Sequence, residues 1–269
     1  VRRELRLGAS LLTPFDEKGQ LDEGVLRQQI RRVSGAGLDL WIVSSGTAEG
    51  HVLTAAETDR IATLAVAEAT GPSRVYAMGV EPRSAAQAIE FANRMQERGV
   101  DAVQVGPVEP GHSYSPTDTE LRSFYAAGRE ATSTPVILSS HVSAGYEIAP
   151  VTLARVADQF SERVVGLTAT HLQNSSYIPR LLEAVGDRYP VWTGSPMRAI
   201  EACAQGVTGF TSSMDVNITP ELYRTFADAW ANADLVGVTN AYRPMLQLFQ
   251  RVLGAGGLII AKAILVRLG

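Results

Sequence analysis

Four histidines, His51, His112, His141 and His171, are the side chains in this chain best suited to moving protons. An imidazole titrates near neutral pH and serves as acid, base or metal ligand. His141 closes the run Ser139-Ser140-His141, and His171 lies three residues past Thr168 in the stretch VVGLTATHLQNSS. If these are neighbouring strands that end side by side, His141, His171, Ser139 and Thr168 share one pocket. A histidine there would act as general base or acid, and the hydroxyls would hydrogen-bond a substrate oxygen. Gly46 and Thr47 offer backbone N–H groups and a hydroxyl, a seat for a carboxylate. Glu49 and Glu109 fall at the edge of the same pocket.

Each candidate also has a plainer reading. A loop histidine commonly makes only local hydrogen bonds. A carboxylate in a tight G-T-x-E loop usually satisfies backbone N–H groups, which is the plain role for Glu49. Asp215 and Asn217 read as turn residues, Tyr114 and Tyr146 as surface or wall aromatics, and Cys203 as core packing. With one cysteine no intrachain disulfide forms. No compact H-x-H or H-x-x-x-H spacing marks a metal site, so no metal and no cofactor is assigned.

The elements that must position these groups repeat eight times. Strand-length apolar runs start at Leu5, Leu38, Arg74, Val100, Pro135, Val164, Pro190 and Val207. Each is followed by a helical pattern, the second opening with a Thr54/Glu57 capping box and the fourth with SPTDTE. The first helix, Leu21 to Ala36, has Gly35 and Gly37 at its end. Alternating βα units imply a parallel sheet with right-handed crossovers, and eight of them favour a closed α/β barrel, the (β/α)8 TIM barrel. The 269 residues suit a fold that takes about 250. Two further helical patterns make an added C-terminal helical layer, so residues 1–231 read as the barrel and 232–269 as helices packed on it, one domain overall. Active groups in this fold lie in the loops after the strands. All four histidines fall there.

The composition excludes some partners. A net charge of -4 with no Lys/Arg-rich run argues against a nucleic-acid surface. Residues 1–8, VRRELRLG, hold no apolar signal-peptide core. The longest apolar run, near 257–266, is broken by Lys262 and too short to span a bilayer. The expectation is a cytoplasmic protein with a small-molecule substrate. Of 24 Lys and Arg residues only Lys18 and Lys262 are lysine.

Several segments together resemble the dihydrodipicolinate synthase and N-acetylneuraminate lyase superfamily. The opening LTPFDEKGQLDEGVLRQQI, the loop SGTAEGHVLTAAE, the segment VILSSHVSAGYEIAP, the strand VVGLTAT and the run GVTGFTSSMDVNITPEL match that family's motifs in order. The resemblance implies a (β/α)8 barrel and a homo-oligomer, a dimer or tetramer. It also implies a lysine at the end of strand six that forms an imine with an oxo acid. Thr168 stands at that position, and a hydroxyl forms no imine. The family's proton-relaying strand-five tyrosine falls on Ser139. The first threonine of its Thr-Thr pair falls on Gly46, and the second is retained as Thr47. Its tyrosine pair after strand four falls near Val108 and Glu109, and an arginine used by some members falls near Ser143 or Ala144.

The leading expectation is therefore a divergent lyase-like enzyme. It would act on a small carbonyl or carboxylate compound by acid–base catalysis without a Schiff base. Two alternatives stay open: a metal-assisted lyase or hydrolase using the loop histidines, and a non-catalytic barrel that binds a ligand or partner.

Overall fold

The structure is a computed structural model that describes residues 4–109, 111, 114–171 and 173–268, without the side chains of 129 and 130. Eight parallel strands close into a barrel in sequence order, the last pairing with the first. They are β1 (Arg6–Ser10), β2 (Asp39–Ile42), β3 (Val75–Ala77), β4 (Ala102–Val105), β5 (Val136–His141), β6 (Val164–Thr170), β7 (Val191–Gly194) and β8 (Gly209–Ser212). The helices between and after them are α1 (Glu23–Gly35), α2 (Ala55–Glu68), α3 (Ala85–Glu97), α4 (Asp118–Ala131), α5 (Pro150–Gln159), α6 (Tyr177–Val185), α7 (Ala199–Gln205) and α8 (Pro220–Ala231). Two more, α9 (Leu235–Gly254) and α10 (Leu258–Leu268), form the added layer. They meet at 115°, and no single helix among the described residues is long and apolar enough to cross a membrane.

The helix starts follow local chemistry. Thr54 and Thr117 each form a reciprocal capping box, with Glu57 and Glu120. Asp22 caps α1 by accepting from the Val25 N–H, so that helix starts two residues later than its apolar pattern. At its other end Gly35 is still helical, and Gly37 takes the left-handed turn.

Two cores follow from the alternation of side chains along each strand. Outward residues such as Leu40, Val103, Leu138 and Leu167 pack under the helices. Inward residues Trp41, Tyr76, Ala102, Ile137 and Trp192 fill the barrel. Their rings touch, with Trp41 and Tyr76 centroids 4.9 Å apart and Trp41 and Trp192 centroids 6.3 Å apart. Room for the indoles comes from glycines on neighbouring strands. A Cβ on Gly8 would strike Trp41, and one on Gly166 or Gly209 would strike Trp192. This aromatic plug is the floor on which the site stands.

Candidate active site at the barrel mouth

Above the plug, at the C-terminal ends of the strands, a cavity of about 530 Å³ opens to solvent. Trp41 forms part of its floor and Phe249, from α9, part of its wall, so the added helical layer shapes the site. The rest of the lining is polar. Ser139, Thr168 and Gln104 come from the inward faces of β5, β6 and β4. Ser139 lies directly opposite Thr168, and His141 opposite Thr170. Ser139 is 1% exposed, and Gln104 and Thr168 are each 8% exposed. The Thr168 hydroxyl points to the Gln104 carbonyl oxygen at 3.4 Å. Gly46 and Thr47 also line the cavity.

His141 ends β5 on the same face as Ser139 and borders the cavity. Its Nδ1 is 2.7 Å from Ser143 Oγ, and that hydroxyl donates to Glu81 Oε1 at 2.9 Å. In one tautomer Nδ1–H donates to Ser143, which donates to the carboxylate. In the other, Nδ1 accepts the Ser143 backbone N–H at 3.0 Å. The first tautomer leaves a bare Nε2, the ring nitrogen open to a bound molecule. Burial pulls the His141 imidazole below its ordinary value, partly offset by the Glu81 carboxylate. A neutral imidazole is the form a general base needs.

His171 does not join this group, which corrects the expected shared pocket. Its Nε2 is 2.8 Å from Ser140 Oγ, and Ser140 is the outward-facing neighbour of Ser139. Its ring lies 4.2 Å from that of Tyr177, and its Nδ1 is 3.8 Å from Glu147. Ser140 also accepts the Ile148 N–H, and Tyr177 donates to the Ile148 carbonyl at 2.6 Å. His171 is thus a fastener between β5, the loop before α5 and the start of α6. Burial lowers its pKa, against the pull of Glu147.

Two acids also stand elsewhere. Glu49 is at positive φ and pairs with Lys262 of α10, which lies over the Phe15 ring at 4.8 Å. The pair lies outside the cavity lining, so Glu49 neither faces a substrate there nor serves the backbone N–H groups of its own loop. Glu109 accepts from Arg83 at 2.7 Å in an adjoining outer cleft of about 560 Å³, which shares Glu81, Gln104 and Ser143 with the central cavity. His51, bonded to the Ser45 carbonyl at 2.7 Å, lines that cleft too. His112 lies outside the described residues.

Other readings can be placed directly. Asp215 accepts from Ser212 at 2.8 Å and from Tyr223, and Asn217 bridges β1 to the loop after β8. Tyr146 donates to the Val108 carbonyl at 3.0 Å, and Tyr114 and Tyr146 stand outside the central lining. No group of three or more His, Cys, Asp or Glu suited to a metal ion occurs among the described residues.

A strand-end cavity with adjacent β4, β5 and β6 side chains in its depth invites comparison with known barrels. The dihydrodipicolinate synthetase family matches residues 4–269. The chain belongs to that family. Among its relatives, 4-hydroxy-tetrahydrodipicolinate synthase 1 of Streptomyces coelicolor is 28% identical over 263 residues, covering 97% of this chain and 83% of the relative. The Fervidobacterium nodosum 4-hydroxy-tetrahydrodipicolinate synthase is 28% identical over 265 residues, covering 98% and 88%. The fold agrees with dihydrodipicolinate synthase from Aquifex aeolicus at a TM-score of 0.81, with 22% identity over 93% of this chain and 83% of that one. A prophage protein of the same family from E. coli K12, solved in complex with pyruvate, aligns at 0.85, with 20% identity over 97% and 87%.

Within this family member neither lysine lines the cavity. Lys18 is in the exposed turn between Asp16 and Gln20, and Lys262 is held by Glu49. Sequence reading missed Gln104, Glu81 and Trp41, and named Ser143 only as a place where an arginine of some family members falls. Gln104 is the one a pattern does signal, as a polar residue at an inward position of the strand AVQV.

Proposed function

We propose that this chain is a lyase-like enzyme that breaks or makes a bond beside the carbonyl of a small substrate, without a Schiff base. His141 Nε2 takes the proton from the carbon next to the carbonyl. The C–H electron pair forms a double bond to the carbonyl carbon as the C=O π pair moves onto oxygen, and the negative oxygen is met by Ser139, Thr168 and the Gln104 amide. The Nδ1 proton is steadied by Ser143 and Glu81. A second oxygen or a carboxylate of the substrate sits at Gly46 and Thr47, whose backbone N–H groups have no partner among the described residues. The activity for which the relatives are named, 4-hydroxy-tetrahydrodipicolinate synthesis, supports the lyase class.

The observation that carries the reading is the hydrogen-bonded chain from His141 through Ser143 to Glu81, at the rim of a cavity whose depth holds neutral donors. Preorganised donors aimed at a developing oxyanion typically supply about 3 kcal/mol each. The test is solvent exchange. In D2O a bound carbonyl compound should exchange its α-hydrogens, and His141→Ala should slow this by about 10²–10⁴. Borohydride added with pyruvate should leave the mass of the chain unchanged. A reduced adduct on Lys18 or Lys262, or exchange indifferent to His141→Ala, overturns the reading. The homo-oligomer that the resemblance implies belongs to the same proposal. Light scattering on the purified chain tests it, and a monomer counts against it.

A further inference from the structure

The depth of the cavity carries polar atoms that the protein does not satisfy. Ser139 is 1% exposed, and its hydroxyl opens onto the cavity with no protein hydrogen-bond partner among the described residues. The Gln104 Nε2 is likewise unpartnered, while its carbonyl oxygen holds only the long Thr168 contact. A ligand that displaces solvent from these groups must replace the hydrogen bonds they make with it, because a donor or acceptor then left unmade is costly. All three are neutral, and each hydroxyl both donates and accepts.

Charge points the same way. Among the described residues no lysine or arginine lines the cavity, and the titratable lining groups are His141 and Glu81. The adjoining outer cleft, which shares Glu81, Gln104 and Ser143 with the cavity, is lined by Arg83 and Arg94, and each is held by a carboxylate, Arg83 by Glu109 and Arg94 by Asp59. A carboxylate entering this space would be stripped of water beside Glu81, with the Gly46 and Thr47 backbone N–H groups but no side-chain cation to face it. A carbonyl with hydroxyls on the adjoining carbons meets no such penalty. Its oxygen accepts from Gln104 Nε2, Ser139 and Thr168, and its hydroxyls pair with Gln104 Oε1 and the rim hydroxyls of Thr170, Thr211 and Ser45.

We infer that the substrate is an uncharged hydroxylated aldehyde or ketone, bound with its carbonyl against Gln104, Ser139 and Thr168, rather than an oxo acid. This inference rests on the acid–base reading above and narrows it. The experiment is proton NMR of α-hydrogen exchange in D2O on the full chain. Hydroxyacetone and dihydroxyacetone serve as neutral probes, and pyruvate and 2-oxoglutarate as anionic ones. The neutral probes should exchange at least about tenfold faster than the anions at equal concentration, the scale of one completed buried hydrogen bond. The isosteric Gln104→Glu removes the N–H donors and adds charge, and should abolish that preference. Gln104→Leu should abolish it too, with melting curves showing that both variants are folded. His141-dependent exchange confined to the anions, or as fast on them, overturns the substrate class and leaves the acid–base reading standing. Exchange unaffected by His141→Ala overturns both. No exchange of any neutral probe overturns the inference.

Discussion

His141 and His171 stand at the ends of adjacent strands, each beside a serine and a glutamate, and do opposite things. His141 follows Ser139 on the inward face of β5 and is linked through Ser143 to Glu81 at a solvent-filled mouth. His171 reaches Ser140 on the outward face and is packed on Tyr177 near Glu147. The Ser140–His171–Glu147 set has the residue types of a nucleophilic triad. Yet Ser140 is fully buried under the helices, so no substrate reaches it. One residue of register along a strand separates a group that faces a ligand from one that fastens a wall.

The largest effects should come from exchanging these roles. His141→Ala should cut turnover of whichever carbonyl compound exchanges by about 10²–10⁴, with little loss of stability. His171→Ala should do the reverse. It breaks a buried hydrogen bond and removes a packed ring, costing about 2 kcal/mol in a urea unfolding curve, with kcat/KM nearly intact. If His171→Ala abolished turnover in a folded protein, the division between the two clusters would be wrong.

A smaller effect sharpens the inner cluster. Neutral His141 is the active form, so activity should fall on the acid side, with its midpoint below the ordinary histidine value of about 6.5. The Glu81 carboxylate opposes that lowering. Glu81→Gln should therefore move the acid limb to still lower pH while reducing kcat, by about tenfold. A limb that stays in place would show that Glu81 does not act on His141.

The barrel, its eight units and its capping boxes are legible in the sequence because each is written in local patterns. Thr54 with Glu57 and Thr117 with Glu120 lie within one helical turn. The two faces of β5 are not legible, since Ser139 and Ser140 are the same residue type and only the barrel decides which looks inward. Glu81 meets Ser143 across 62 residues, and Glu49 meets Lys262 across 213. No spacing rule reaches that far. The sequence puts Glu49 with the pocket or with its own loop's backbone, and in the fold a lysine from α10 holds it instead.

Acid stability provides a gentler separation of the two histidines. Both have lowered folded values because burial disfavours the cation. The unfolded chain, with histidines near 6.5, binds protons first as pH falls. Stability is therefore full above about pH 6.5 and declines as pH drops through the folded values. His171→Asn keeps a polar side chain and removes one titrating group, so it should flatten part of that decline in melting curves taken between neutral and mildly acid pH. An unchanged slope would mean that His171 binds its proton equally in the folded and unfolded chain.

The smallest expected effect concerns the two glutamates. Glu81 looks into the cavity through Ser143, whereas Glu49 is tethered to Lys262, and both partners of that pair are about a quarter exposed. Water screens such a pair, so Lys262→Met should cost about 1 kcal/mol or less. The tether holds a loop in which Val43 and Glu49 both take positive φ, a conformation that side chains rarely adopt. Gly46 and Thr47 hang from that loop. Lys262→Met should accordingly raise KM more than it lowers kcat, and Lys262→Arg, which keeps the charge, should restore most of the binding. An imine-forming Lys262 would behave otherwise: both substitutions would abolish turnover, because an arginine forms no Schiff base.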